Sequence, residues 1–185
     1  MLYIKQLCLI IYTIITVLFT VGYASQPFIK TSQLIQTPNN ADGNKLSSSF
    51  YINNVSSIIS NVRNTYSSSN DYSNINNYLN ILFQTILYTC ITITILLVSG
   101  IALGFFGLKM ISKILFLIAM ILMIIVFIVI QVVILGDSFI NNIKANGLNK
   151  NSISSINTEN GNGYYLILTS TLLMIITYII YAILA

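Results

Sequence analysis

Few side chains in this sequence could take part in catalysis or bind a metal ion. The chain has 185 residues, with 2 Cys, 4 acidic residues and 0 His. A zinc site of the Cys/His type needs three or four such ligands, and a nucleophile that is activated by a His base needs that His. We therefore predict no catalytic residues, no cofactor and no metal site, and we expect that the protein is not an enzyme.

The acidic residues lie outside the apolar runs of the chain; they are Asp42, Asp71, Asp137 and Glu159. An intramembrane aspartyl protease needs two buried acids, and proton-coupled transport or ion pumping normally shows an ionisable side chain within the membrane. The apolar runs contain no Asp, Glu, Lys, Arg or His. This pattern argues against all three activities.

The elements that position these residues are apolar runs long enough to cross a bilayer. Hydrophobic residues make up 56% of the chain and charged residues 6%, whereas about a quarter of the residues in a soluble domain are charged. Each span needs roughly 20 apolar residues, and four segments qualify: residues 1–24, 81–108, 114–135 and 164–185. We predict an all-α fold, an integral membrane four-helix bundle in the lipid bilayer.

The first segment has two interpretations. Its apolar run, residues 7–24, follows Lys5 and is just long enough to span the membrane as a signal anchor. Gly22 and Ala24, followed by Ser25, also satisfy a small-residue rule for cleavage of a signal peptide. We favour the retained anchor and keep cleavage as the alternative.

The polar segments between the spans are rich in Asn and Ser. Residues 25–80 contain two patterns of helical spacing, one over residues 52–66 and one over 75–82 that leads into the second span. We expect this first extracytoplasmic loop to be partly helical, with a low-complexity linker as the alternative. Residues 136–163, rich in Asn and Gly, are expected to form a second extracytoplasmic loop with many turns.

Basic residues indicate the orientation in the membrane. Lys5, Lys109 and Lys113 flank the spans on one side, where residues 109–113 form a short turn, and no acidic residue accompanies them. The positive-inside rule makes this side cytoplasmic, together with the N- and C-termini. The basic residues form no run that would bind nucleic acid, so we expect no nucleic-acid partner.

One sequence motif is consistent with that orientation. Asn54-Val55-Ser56 is an N-glycosylation sequon in the first extracytoplasmic loop. We therefore predict glycosylation at Asn54, and we expect the host membrane to be the plasma membrane or a membrane of the secretory pathway.

Small residues one helical turn apart occur near the cytoplasmic end of the second span. Gly100 and Gly104 form a GxxxG pattern, which Ser99 and Gly107 extend. Small side chains let another backbone approach closely, and such packing is a main source of helix association in lipid. We predict a helix-packing interface at these four residues. It serves lateral association with another molecule or, as the alternative, packing against the first or third span of the same chain.

The spans also contain two amides and two thiols. The amides of Gln84 and Gln131 can each form a hydrogen bond across helices. Cys8 and Cys90 lie at different depths, so we expect no disulfide between them. Cys8 is either a small apolar filler, which we favour, or a site of palmitoylation.

Several Tyr residues cluster at the predicted outer boundary of the membrane. Two of them, Tyr164 and Tyr165, begin the last span. Tyr places its ring in lipid and its hydroxyl in water at this depth. We therefore interpret these residues as an aromatic belt.

The layout of the chain resembles that of claudin-like tetraspan proteins: a span, a long outer loop, two spans joined by a tight basic turn, a shorter outer loop and a final span. The segment SQPFIKTSQL, residues 25–34, also resembles the start of the first loop in fungal claudin-like proteins of the PalI and eisosome-associated kind, with Pro27, Lys30 and Leu34 at the loop entrance. The first loop lacks the paired Cys and the Trp-Gly-Leu-Trp type motif of true claudins. The resemblance implies a non-enzymatic role in organising the cell cortex or in assisting a membrane sensor.

These observations predict a tetraspan organiser or accessory protein that acts by lateral helix association. Its partners would be the lipid bilayer and either other membrane proteins or a second copy of itself. The alternative is a small subunit of a larger membrane complex, organellar or of a viral envelope, in which the first segment is a cleaved signal peptide.

Overall fold

The computed structural model of the chain describes residues 2–27, 29–37, 40–50, 71–134 and 153–184. It contains four long helices: α1 (Leu2–Ala24), α2 (Asp71–Phe105), α3 (Lys109–Val129) and α4 (Asn162–Leu184). A π-helical turn, Ile130–Ile134, continues α3. Three strands lie outside the helices: β1 (Ile29–Thr37), β2 (Asn40–Phe50) and β3 (Ile153–Asn160).

All four helices are long and apolar enough to cross a membrane. The candidate spans are Tyr3–Ala24, Ile81–Phe105, Lys109–Val132 and Asn162–Ile183. The predicted four-helix membrane bundle is confirmed. The helix α2 begins at Asp71, so the helical pattern over residues 75–82 lies on a continuous helix that enters the second span.

The helices pack in chain order, and α4 closes the bundle against α1. Tyr12 of α1 and Phe116 of α3 meet in the centre, where their rings stack with centroids 3.7 Å apart. Tyr181 of α4 meets both rings edge-on, at centroid distances of 5.7 and 5.6 Å. All three side chains are fully buried. Large aromatic rings therefore fill the interior at this level of the bundle.

A tight turn joins α2 to α3. Gly107 has a φ of +86°, in the left-handed region that favours glycine. The turn is closed by hydrogen bonds from the Gly107 amide to the Gly104 carbonyl, at 3.2 Å, and from the Leu108 amide to the Leu103 carbonyl, at 3.0 Å. The chain reverses direction within three residues, which keeps α2 and α3 antiparallel neighbours.

Both polar segments between the spans contribute to one small antiparallel sheet with the strand order β2-β1-β3. Ile29 at the start of β1 pairs with Phe50 of β2 on one side and with Asn160 of β3 on the other. The Gly163 amide donates to the Pro27 carbonyl at 3.0 Å, next to this ladder. The sheet is thus joined to the bundle where α1 ends and α4 begins.

The sequence pattern did not predict this sheet. Residues 29–50 belong to the loop that is expected to be partly helical, and residues 153–160 to the loop that is expected to have many turns. Strands β1, β2 and β3 form there instead. Strand β1 pairs with a strand far along the chain, which comes close only because α1 and α4 are neighbours in the bundle. The helix expected over residues 52–66 lies outside the described residues.

Candidate functional site

The predicted GxxxG face lies inside the bundle. Gly100 is buried, and a Cβ added there would meet the Phe116 ring at 2.7 Å. No side chain larger than hydrogen fits at this distance without movement of the ring. Gly100 therefore allows the Phe116 ring of α3 to pack directly against the backbone of α2.

Gly104 performs the same role one turn closer to the α2–α3 turn. A Cβ at this position would lie 2.8 Å from Leu9 Cδ2 and 3.1 Å from Ser112 Oγ. Leu9 belongs to α1 and Ser112 to α3, so three helices meet here. Gly100 and Gly104 therefore pack within the chain, against the first and third spans, which is one of the two alternatives that the sequence leaves open for this interface.

The other two residues of the predicted interface behave differently. Gly107 lies in the turn, and a Cβ added to it would have nothing within 4 Å. Its positive φ gives it a conformational role in the turn, and its part in a packing interface stays a prediction. Ser99 is half-buried beside Gly100.

A buried serine connects three helices at the level of Gly100. Ser112 Oγ donates a hydrogen bond to the Gly100 carbonyl of α2 at 2.8 Å and lies 3.3 Å from Tyr181 Oη of α4. Since the serine has a single hydroxyl proton, the tyrosine hydroxyl donates to the serine oxygen. This pair satisfies both hydroxyls in a region where lipid and core offer no other partner.

A lysine stabilises the end of α4. Lys113 Nζ donates to the Ala182 carbonyl at 3.2 Å and lies 5.8 Å from the centroid of the Tyr181 ring. A positive charge at the C-terminal end of a helix interacts favourably with the helix dipole. One of the three topology lysines therefore also has a packing role.

The three lysines lie at one end of the bundle. Leu9, one turn after Lys5, packs on Gly104 just before the α2–α3 turn, where Lys109 and Lys113 follow. Lys113 in turn contacts the last turn of α4. This end therefore carries Lys5, Lys109 and Lys113 together, as the sequence pattern indicated.

A second close backbone contact, between α1 and α4, was missed by the sequence reasoning. A Cβ on Gly163 would lie 2.5 Å from the Gly22 carbonyl oxygen, and one on Gly22 would lie 3.1 Å from Ile167 Cγ1. In the sequence, Gly22 is also part of the small-residue rule for signal-peptide cleavage. The occurrence of Gly22 in an apolar run is the available signal for close helix packing.

The amide of Gln131 forms the hydrogen bond across helices that the sequence suggested. Gln131 lies in the π-helical turn and donates to the hydroxyl of Tyr164 on α4. Tyr164 is buried, and its ring lies 6.0 Å from that of Phe127. Tyr164 is therefore an interior residue, not a member of an aromatic belt, whereas its neighbour Tyr165 is exposed.

Gln84 differs from Gln131. Its side chain is exposed and takes part in no hydrogen bond among the described residues. It belongs to a face of α2 that carries several polar groups: Gln84, Thr85, Tyr88 and Thr92 are exposed there. We call these four residues the polar stripe.

The cysteines are buried and free, as expected. Cys8 is 2% exposed and Cys90 fully buried, and no disulfide joins them. Their environment fits the role of small apolar fillers, because a buried Cys8 thiol is not accessible to an acyl group. Asn54, the predicted glycosylation site, lies outside the described residues.

Within residues 2–27, 29–37, 40–50, 71–134 and 153–184, no group of three or more His, Cys, Asp or Glu residues could hold a metal ion. No protein-family model matches the chain, and no curated protein sequence matches it significantly. The fold and its packing surfaces are therefore the basis for a functional proposal.

Proposed function

We propose that this multi-pass membrane protein is a non-enzymatic tetraspan organiser or accessory protein that acts through lateral association of its helices. The observation that carries the proposal is the filled interior of the bundle. The rings of Tyr12 and Phe116 stack in the interior, and Tyr181 meets both of them edge-on. Leu9, Ile93 and Met123 are also large and buried. Because the interior of the bundle is filled, the protein would act through contacts that its outer surfaces make with other molecules.

The composition of the spans supports the same proposal. The apolar runs contain no ionisable acid or base, and transport or proton relay through a membrane normally depends on such groups. Several interior hydroxyls and the Gln131 amide instead bond to one another and to backbone carbonyls, as in the Ser112–Gly100 and Gln131–Tyr164 pairs. The buried Tyr12 hydroxyl has no hydrogen-bond partner among the described residues. The bonded polar groups hold helices together.

The burial of α1 supports retention of the first segment. Leu9, Tyr12, Ile15 and Phe19 of α1 are at most 1% exposed. Cleavage before Ser25 would remove all four side chains from the core. We therefore propose a retained first span, with Lys5, Lys109 and Lys113 on the cytoplasmic side and the sheet outside.

The layout of spans and loops and the segment from Ser25 to Leu34 resemble fungal claudin-like proteins. By that resemblance the organising role would concern the cell cortex or a membrane sensor. Glycosylation at Asn54 and residence in the plasma membrane or secretory pathway belong to the same proposal.

The test is extraction of the tagged protein in a mild detergent, followed by measurement of its native mass and identification of the proteins that remain bound. Self-association or a stoichiometric membrane-protein partner would support the proposal. A monomer that catalyses a reaction or conducts ions after reconstitution would contradict it. A fixed place in a large complex, with Ser25 as the first residue of the mature chain, would favour the alternative of a small subunit.

A further inference from the structure

The exposed faces of α2 and α3 differ in chemistry. On α3 the large exposed side chains beyond the first turn are all apolar; they are Ile114, Leu117, Ile118, Ile121, Ile125, Ile128 and Val132. On α2 the outer half of the exposed face carries the polar stripe, in which Tyr88 is 64% exposed. Acyl chains accept apolar groups but offer no hydrogen bonds. Contact with acyl chains is therefore favourable for the exposed face of α3, and it is less favourable for the exposed face of α2.

The polar stripe extends from the membrane boundary into the hydrocarbon region. The candidate span of α2 ends at Phe105, which we take as the inner boundary of the hydrocarbon core. Gln84 lies 21 residues before Phe105, about 32 Å away at about 1.5 Å per residue, and this distance is close to the thickness of the core. Gln84 therefore lies at the outer boundary. Tyr88 and Thr92 lie about 6 and 12 Å deeper, where headgroups and water are progressively excluded.

The hydroxyl groups of Thr85 and Thr92 donate hydrogen bonds to backbone carbonyls of α2 itself. Thr85 Oγ1 donates to the Ile81 carbonyl at 2.7 Å, and Thr92 Oγ1 donates to the Tyr88 carbonyl at 2.9 Å. Each threonine oxygen keeps capacity to accept a further hydrogen bond. Gln84 and Tyr88, by contrast, have donors that no described residue accepts.

The stripe therefore holds surplus donors and surplus acceptors within about two helical turns. A second copy in the same membrane, related by a two-fold axis along the membrane normal, would bring the same residues to the same depth. The Gln84 amide of one copy would then meet the Gln84 amide or the Thr85 oxygen of the other. No charge opposes this contact, because the stripe contains only neutral side chains.

We infer that the polar stripe of α2 is the surface through which two copies of this chain associate in the membrane. The inference rests on the proposed function, and it specifies the surface and the partner. The GxxxG face of the same helix is not available for this purpose because Phe116 and Leu9 cover it.

The test is disulfide crosslinking in membranes with a variant that lacks the native cysteines, Cys8→Ala with Cys90→Ala. Thr85→Cys and Thr92→Cys, introduced one at a time, place thiols on the stripe without a large change in side-chain size. Ile118→Cys and Ile125→Cys place thiols on the exposed face of α3 as matched controls. The wild-type chain provides a further control, since Cys90 lies on α2 between Tyr88 and Thr92 but is fully buried.

We expect oxidised dimers for both stripe positions and none for the α3 positions or for wild type. In addition, Gln84→Leu combined with Tyr88→Phe should weaken dimerisation about fivefold in a fluorescence-transfer titration in vesicles. Dimers that form through Ile118→Cys, or dimerisation that is unchanged in the double variant, would overturn the inference.

The outcomes separate this inference from the proposed function. A chain that associates through α3, or that co-purifies with a different membrane protein while its stripe forms no crosslinks, would overturn the inference and leave the organiser role in place. A chain that stays monomeric, binds no other protein and conducts ions would overturn both.

Discussion

The inner and exposed faces of α2 show two different ways in which a helix makes contacts in lipid. On the inner face, Gly100 and Gly104 bring the α2 backbone close to Phe116 and Leu9. On the exposed face, Gln84 and Tyr88 present polar groups with no partner among the described residues. The glycines stabilise the bundle because close approach of the helices adds dispersion contacts. The exposed polar groups contribute favourable free energy only if another molecule forms hydrogen bonds with them. The small residues therefore serve internal packing here, whereas the exposed polar residues form the surface that we propose for association.

Gly100→Ile should have the largest effect, because the new side chain would enter the volume of the Phe116 ring. We expect a loss of about 3 kcal/mol in the free energy of unfolding, or failure to fold. Unfolding in detergent, followed by denaturant titration, measures the change. Ala102→Ile is the matched control, since Ala102 lies two residues further along the same helix and is exposed. Equal stability of the two variants would show that the inner face is not closely packed.

Gly163→Ala tests the second close backbone contact, at the opposite end of the bundle. The added methyl group would lie 2.5 Å from the Gly22 carbonyl oxygen, so α1 and α4 must separate. We expect a loss of about 2 kcal/mol, measured by the same titration. Thr169→Ala, at an exposed position of α4, should be near wild type. A stable Gly163→Ala variant would mean that α1 and α4 can separate without cost.

Ser112→Ala should have a smaller effect. It removes the hydrogen bond to the Gly100 carbonyl and leaves the buried Tyr181 hydroxyl without its acceptor, at a cost of about 1 kcal/mol. Tyr181→Phe should reduce that cost when it is combined with Ser112→Ala, because the two hydroxyls depend on each other. Strictly additive losses in the double variant would show that the two hydroxyls act independently.

We expect the smallest effects on stability for substitutions of the two glutamines. Gln131 has a partner within the bundle and Gln84 is exposed, so the two variants compare a bonded amide with an exposed one. Gln131→Leu breaks the hydrogen bond to Tyr164 and should cost about 0.6 kcal/mol. Gln84→Leu should leave the unfolding of the monomer unchanged, because its amide has no described partner. The measurement is thermal unfolding in detergent at a concentration where the chain is monomeric. A larger loss for Gln84→Leu than for Gln131→Leu would reverse the assignment of the two amides.

The membrane spans could be predicted from the sequence because their signal is local. Each apolar run is long enough to cross the bilayer by itself, and the runs contain no ionisable residue. Gln131 could be predicted as a donor across helices for a similar reason, since a polar amide in lipid needs a partner. Its partner is Tyr164. The sequence predicts an aromatic belt for that residue, because it does not show which side of α4 faces the core.

The sheet and the roles of the glycines could not be predicted in the same way. Ile29 pairs with Asn160 across most of the chain, and no local pattern records a pairing over that distance. Gly100, Gly104 and Gly107 occur in one short segment, yet two pack against helices and the third shapes a turn. Gly22 and Gly163 are far apart in sequence, and their contact is apparent only once α1 and α4 are neighbours.

The sequence by itself determined that this protein resides in a membrane, crosses it four times and gathers three lysines at one end. These properties follow from hydropathy, length and charge, which act on each segment independently. The tertiary structure decided which small residues face other helices, which polar groups are satisfied and which remain exposed. Those properties depend on the rotation of each helix about its axis, and that rotation is fixed by contacts between segments, such as Phe116 on Gly100.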